Sequence, residues 1–276
     1  MSEKKQKKIA VINDFSGFGR CSIAVSLPII SAMKIQCCAL PTAIFSNHTG
    51  YDDYFFDDYT DKMQIYYSKW KKLGLEFDGI YTGFLGSVRQ IEIAEDFIKQ
   101  FADKNTVIII DPVMADDGVT YASFDDEMCR RIKKLVPYAD ILTPNITEAC
   151  ILADIPYRKN LSDEKSLLEI SHRLYSAGCK NIIITGINDG ENIGNFVYSG
   201  ENNYCLIKNK ITGQQRAGTG DVFASIIAAD AVNGVGLQKS VQKAADFVGK
   251  AVMLSDEMNI PSQDGVCFEE ILGLLI

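Results

Sequence analysis

Histidine is scarce in this sequence: His48 and His172 are the two in 276 residues. The eight cysteines include no CxxC pair, and none sits with a histidine at zinc-ligand spacing. Most lie in apolar runs, where a thiol behaves as a small hydrophobe, so reduced cysteines in a cytoplasmic protein are the expectation. Basic charge is in deficit as well, with 28 Lys and Arg against 36 Asp and Glu and a net charge of −8. Such a surface repels phosphate backbones, which argues against a nucleic-acid partner; any anion bound here needs a dedicated local site. No run approaches the roughly 18 consecutive apolar residues of a membrane span. The basic stretch Lys4–Lys8 is followed by only a short apolar segment before Asn13-Asp14, too short for a signal peptide. Repeats, low-complexity tracts and Pro/Gly-rich linkers are missing too. The reading is therefore a solvated tail at 1–7 and a single domain at 8–276, not bound to membranes.

What is present is alternation. Short, nearly all-apolar runs at Ile9–Asn13, Gln36–Pro41, Gly79–Thr82, Thr106–Asp111, Asp140–Thr143 and Asn181–Thr185 read as strands buried on both faces. Ser87–Ala102, Asp125–Leu135 and Ser162–Ala177 carry apolar residues at helical spacing. This predicts an α/β fold: a doubly wound, mostly parallel sheet with helices on both faces. Gly194–Lys208 reads as a hairpin with its turn at Ser199–Asn203, followed by helices at Gly218–Val232, Leu237–Leu254 and Phe268–Leu275.

The strongest chemical signal is Arg216-Ala-Gly-Thr-Gly-Asp-Val-Phe-Ala-Ser225. Gly218 and Gly220 bracket Thr219 at the start of a helix, where backbone N–H groups lack partners and the dipole is positive. Without side chains at the two glycines an anion can come close, and Asp221 in the first turn can accept a proton from an attacking hydroxyl. A plain helix start, with Thr219 as N-cap, explains these four residues about as well. Asp111 ends a strand, the end at which open α/β sheets bind ligands, although an Asp before Pro112 is also an ordinary turn residue. Asn145 and Glu148, three apart at a helix start, face one side and also fit a capping box. Phe84 suits either ring stacking or the core.

Gly218-Thr-Gly-Asp221 late in such a chain is similar to the signature of the ribokinase-like superfamily. Phe45-Ser-Asn-His-Thr-Gly-Tyr51 after Pro41-Thr42, Tyr81-Thr-Gly-Phe-Leu-Gly86, Asp111-Pro-Val-Met114 and Leu142-Thr-Pro-Asn-Ile-Thr-Glu-Ala149 resemble the motifs of pyridoxal kinases, in order and spacing. The resemblance spans Ile9 to about Leu254. It implies transfer of the ATP γ-phosphoryl group to the hydroxymethyl arm of a vitamin B6 vitamer. Asp221 would then be the base, with Gly218, Thr219 and Gly220 as anion hole. Asp111, Asn145 and Glu148 would lie near Mg²⁺ and the ATP phosphates, with Asp111 and Glu148 acting on the metal partly through water. Thr185 would lie near the nucleotide, and Asp14, Ser46, His48, Thr49 and Phe84 near the vitamer. A homodimer is also implied, while a monovalent cation beside Mg²⁺ is left open.

The chain departs from that pattern in three places. Many pyridoxal kinases carry Ser where this chain has Asp14, and Tyr where it has Phe84. The flap at Asp116–Ala122 is short and has no basic residue. An ionised Asp14 beside the ring would favour pyridoxamine over pyridoxal; a solvent-facing turn role for Asp14 is the alternative. Hydroxymethylpyrimidine kinase, which usually has Cys where this chain has Asp221, is the rival activity. A catalytically silent vitamer- or nucleotide-binding protein is the rival of another class.

Overall fold

The computed structural model describes residues 5–122, 124–159 and 161–276. Its strands are β1 (Lys8–Phe18), β2 (Gln36–Asn47), β3 (Phe56–Asp58), β4 (Gly79–Thr82), β5 (Val107–Ile110), β6 (Ala115–Asp116), β7 (Val119–Thr120), β8 (Ile141–Leu142), β9 (Ile182–Asn188), β10 (Asn192–Tyr198) and β11 (Tyr204–Lys210). Its α-helices are α1 (Ser22–Ala32), α2 (Thr60–Lys72), α3 (Val88–Phe101), α4 (Asp126–Ile132), α5 (Ile146–Ala153), α6 (Glu164–Ser176), α7 (Thr219–Asn233) and α8 (Leu237–Glu257).

Nine strands form one sheet in the order β11-β10-β9-β8-β5-β4-β1-β2-β3. From β9 through β2 every pairing is parallel, while β10, β11 and β3 add antiparallel edges. Because strand side chains alternate, each central strand feeds two cores. Ile12, Ile80, Ile110, Leu142 and Ile184 pack on the side of α3, α4 and α6, with Phe97, Met128 and Leu167. Val11, Tyr81, Ile109, Ile141 and Ile183 pack on the other side with Ile29 of α1, Ile227 of α7 and Phe247 of α8. The doubly wound architecture and the hairpin stand as anticipated.

Several local expectations change. β1 runs on to Phe18 because β2 continues beside it to Asn47, across a register shift between Asn13 and Phe15. Asp14 therefore lies inside a strand, not after one. Helices α1 and α2 have no clear periodic signal in the sequence: α1 is apolar nearly all round and contains Pro28, while α2 is mostly polar and buries only Thr60, Met63 and Tyr67. The segment Glu269–Leu275 is a 3₁₀ helix, and α4 gives way to 3₁₀ geometry at Lys133–Tyr138, which contains Pro137. Of the expected tail, residues 1–4 lie outside the described residues. Lys7 is tied down: its Nζ donates to Val232 O at 2.7 Å, and its carbonyl accepts from Gln36 N at 2.9 Å.

Candidate active site

The chain leaves β1 to form β2 on one side and returns to form β4 on the other, so the sheet order reverses at β1. A crevice opens at the carboxyl ends of strands at such a point. Asn13 occupies it. Its Oδ1 accepts from the backbone N–H of Asp14 at 3.0 Å and of Phe84 at 2.8 Å, and its Nδ2 donates to Asp221 Oδ1 at 3.3 Å. A Cβ at position 83 would overlap the Asn13 side chain, which accounts for glycine there. In the sequence, the only signal for Asn13 is its place at the end of the first apolar run.

Helix α7 starts where expected, but its N-cap is Gly218, not Thr219. Gly218 has φ +74, and a Cβ there would overlap the carbonyl oxygen of Arg20. Gly220 differs: it is exposed, has ordinary helical φ, and a Cβ there would meet nothing within 4 Å. Its glycine is thus not demanded by backbone conformation; open space lies over the first turn, whose N–H groups have no intrahelical acceptor.

Four buried carboxylates follow one another here: Asp14 beside Asp221, Asp221 beside Asp111, and Asp111 beside Glu148. Burial pushes the Asp221 carboxyl up to about 6, helped by the negative charge of Asp14 and opposed by hydrogen bonds from Ser22 N–H and Asn13. Asp111 is 8% exposed and raised above the carboxylate range by burial and then by Asp221; its Oδ1 accepts from Thr143 Oγ1 at 3.1 Å. Glu148 is raised by burial and by Asp111. Its Oε1 accepts from Met114 N at 3.0 Å and Ala115 N at 3.5 Å, and its Oε2 from Asn145 N at 2.9 Å. With Asn145 Oδ1 accepting from Glu148 N at 3.0 Å, the capping box is complete.

Asp14 neither faces solvent nor offers a free carboxylate. It is 6% exposed, its Oδ1 accepts from Ser22 Oγ at 2.5 Å and its Oδ2 from Ser16 Oγ at 3.1 Å. Burial raises its pKa. The solvent-facing alternative is overturned, and the contact with a charged vitamer loses its simplest form, because both oxygens already serve hydroxyl donors.

Phe84 is half-buried, edge-on to Phe45 and Phe124 at ring distances of 6.4 and 6.2 Å. Ser46 accepts from Phe55 N at 2.8 Å and donates to Asn47 Oδ1 at 2.7 Å. His48 accepts at Nδ1 from Gly50 N and donates from Nε2 to Gln263 O at 2.6 Å, so its ring is engaged by protein on both nitrogens. Thr49 is exposed. Thr185 lies beside Asn145 through an isolated parallel bridge, its N–H donating to Pro144 O at 2.9 Å. The expected flap is the β6–β7 hairpin. Asn145 Nδ2 donates to Ala115 O at 2.7 Å, Gly118 N to Thr147 Oγ1 at 2.9 Å, and Gln215 Nε2 to Asp116 Oδ2 at 3.3 Å. It therefore bridges the Asn145 helix start and the loop before Gly218.

A parallel sheet with a glycine-bracketed helix start and its carboxylate at the switch point defines a kinase of the ribokinase-like fold. The sequence model of the phosphomethylpyrimidine kinase family matches residues 30–266. The chain belongs to that family and is a kinase of the pyridoxal kinase and phosphomethylpyrimidine kinase group. It is 37% identical, with TM-score 0.94, to a Bacteroides thetaiotaomicron protein provisionally assigned as a phosphomethylpyrimidine kinase and crystallised with pyridoxal, covering 98% of this chain and 96% of that one. The pyridoxal kinase of Lactobacillus plantarum is 25% identical with TM-score 0.90, over 98% of this chain and 97% of that one. Pyridoxine kinase of Bacillus subtilis is 27% identical over 188 residues, 67% of this chain and 68% of that protein. Among the described residues no helix is long and apolar enough to cross a membrane.

Proposed function

We propose that this kinase transfers the γ-phosphoryl group of ATP to the 5'-hydroxymethyl oxygen of a vitamin B6 vitamer. The observation that carries the reading is Asp221: a carboxylate at the start of α7, held by Asn13, with its pKa raised to about 6. A base of that strength is ionised at neutral pH yet takes a proton more readily than an ordinary Asp. In the step, Asp221 accepts the hydroxyl proton, the oxygen forms a bond to the γ-phosphorus, and the bond to the β–γ bridging oxygen breaks. ADP departs with that electron pair, and Asp221 later releases its proton to solvent. The N–H groups opening α7, around Gly218, Thr219 and Gly220, face the negative charge that develops on the transferring group.

The donor set fits Mg²⁺ held mainly by phosphates and water. Among the described residues no three His, Cys, Asp or Glu side chains are grouped to hold an ion by themselves. Asp111 has one oxygen engaged by Thr143 and repels Asp221 and Glu148, a strain that a cation relieves. Mg²⁺ bound with ATP would supply charge neutralisation there. Glu148, with both oxygens on backbone N–H groups, acts by holding the Met114–Asn145 region in place. Phe84, Phe45 and the 46–49 loop supply the aromatic and polar wall for the ring, and Thr185 borders the nucleotide.

Pyridoxal in the crystal of the 37% identical Bacteroides protein supports a B6 acceptor. The description of the matching family favours hydroxymethylpyrimidine as the second reading. ADP release measured with ATP·Mg²⁺ and pyridoxal, pyridoxine, pyridoxamine or hydroxymethylpyrimidine separates them. Highest kcat/KM on a B6 vitamer is the expected result. Preference for the pyrimidine would transfer the chain to thiamine synthesis, and no turnover with any of the four would overturn both readings. The same reading carries a cytoplasmic homodimer, for which sedimentation of the purified protein is the test.

A further inference from the structure

Residues 260–265, between α8 and the C-terminal 3₁₀ segment, lie under two loops that are far apart in sequence. From one side comes the loop after β2. His48 Nε2 donates to Gln263 O at 2.6 Å, and Tyr51 Oη donates to Asp264 Oδ1 at 2.6 Å. From the other side comes the approach to α7. Ala217 N donates to Ser262 O at 3.3 Å. The guanidinium of Arg216 is buried, and its Nη1 reaches the carbonyls of Ile260 at 2.8 Å, Pro261 at 3.3 Å and Gly265 at 3.4 Å. Its Nη2 pairs with Asp256 on α8. Arg20 closes the ring: its N–H donates to Asp264 O at 3.2 Å, and its carbonyl is the atom against which Gly218 packs.

Besides these bonds the turn has Asp264 N donating to Pro261 O at 3.0 Å and Gly265 N to Ser262 O at 3.3 Å, and Ile260 N donates to Ser255 O of α8 at 2.9 Å. Pro261, Ser262 and Gln263 are exposed, and the 3₁₀ piece at Ser262–Asp264 buries no residue. The apolar anchor, Val266, comes just after the turn, so the exposed stretch at 261–263 keeps its shape only as long as its hydrogen bonds do. A buried arginine suits this task, because its fixed fork of donors can hold several carbonyls at once while its charge is paired. Arg216 and Ala217 directly precede Gly218, so whatever fixes the turn fixes the entry to the phosphate-facing N–H groups. Any shift of the 48–51 loop pulls on the same turn through Gln263 and Asp264.

We propose that the 260–265 turn couples the acceptor loop at 46–51 to the phosphate loop at 216–221, with Arg216 as the positioning residue. The names of the two loops rest on the proposed function; the connection itself does not. Through it, an acceptor that settles the 46–51 loop also settles the first turn of α7, so ordering at one end lowers the cost of ordering at the other.

Two variants and a substrate-free measurement test this. Tyr51→Phe keeps the ring and removes the hydrogen bond to Asp264; Arg216→Lys keeps the charge and removes the fork. Amide hydrogen exchange is followed by peptide in the ligand-free proteins. Loss of one hydrogen bond corresponds to about a twofold to tenfold change in an opening equilibrium. In Tyr51→Phe, exchange at 217–222 is expected to quicken by about that factor, and KM for ATP to rise similarly although Tyr51 belongs to the acceptor loop. In Arg216→Lys, exchange is expected to quicken at 48–51 as well as at 217–222. Changes confined to 48–51 and 262–265 in Tyr51→Phe, or parent-like exchange at 48–51 in Arg216→Lys, would overturn the coupling. If the parent phosphorylates none of the acceptors, the proposed function fails, and the exchange data still decide the coupling.

Discussion

The side-chain amide of Asn13 donates to Asp221 Oδ1 at 3.3 Å while its oxygen accepts from the N–H of Phe84 at 2.8 Å. One residue thus links the end of β1, the proposed acceptor wall and the proposed base. Asn13→Ala removes a bond that lowers the Asp221 pKa and leaves two backbone N–H groups without their acceptor. The acidic limb of the kcat/KM profile should move to higher pH. Stability should fall by about 1–3 kcal/mol, the cost of unsatisfied buried donors. A pH–rate profile and urea titrations measure the two effects, and an unmoved acidic limb would separate Asn13 from the base.

Asp221→Asn retains shape and removes basicity. Turnover with the preferred acceptor should drop roughly 10²–10⁴-fold, the usual range for a general base, while nucleotide affinity changes little. Stopped-time assays and nucleotide titration by calorimetry give the pair of numbers. Near-parent turnover would remove Asp221 from the base role.

The raised carboxylates set the sign of the pH dependence of stability. Asp221 is raised from 3.8 to about 6 and Asp111 is raised with it, so the folded state binds these protons more tightly than the unfolded state. Their contribution is fully present below about pH 4 and is lost as pH rises through 6 and beyond. Salt-bridged carboxylates such as Asp189 and Asp256 are lowered and act in the opposite sense, but below pH 4. Urea midpoints of the ligand-free protein should therefore decline from pH 5 to pH 8. Asp111→Asn should flatten that decline, and a variant with the parent slope would contradict the assignment.

Asp111 and Glu148 should part company when mutated. Asp111→Ala is expected to raise the Mg²⁺ concentration for half-maximal activity with little loss of melting temperature. Glu148→Ala removes the acceptor for three backbone N–H groups and should lower the melting temperature first. Metal titrations and thermal melts on both variants check this, and equal metal dependence in the two would return Glu148 to the metal.

The two glycines of the proposed phosphate loop should also differ. Gly218→Ala forces a Cβ onto the Arg20 carbonyl at positive φ and should destabilise the fold severely. Gly220→Ala has open space and ordinary helical φ, so it should fold normally and raise KM for ATP by crowding the phosphate. Melting temperatures and ATP titrations distinguish these outcomes, and a normal KM in folded Gly220→Ala would place the phosphate elsewhere.

Local chemistry was readable because its signals are local. Gly218, Gly220 and Asp221 announce a helix start within four residues, and Asn145 and Glu148 announce a capping box at one helical turn. Helix α1 carries no such signal: its exposed side includes the apolar Leu27, so no polar stripe sets its period.

By itself, the sequence determined the alternation of buried strands and helices, the hairpin after β9 and the helix start that carries Asp221. It did so because periodicity and turn chemistry are properties of neighbouring residues. Only the tertiary structure decided that Asn13 meets Asp221, that Asp14 is enclosed by Ser16 and Ser22, that Glu148 faces backbone, and that Arg216 grips the 260–265 turn. Those contacts join residues such as 13 and 221, or 51 and 264, whose side chains meet only once β1 lies between β4 and β2 and α7 and the C-terminal turn pack over its end. Hydrogen-bond partners across such separations are chosen by packing, and no local pattern of residues encodes them.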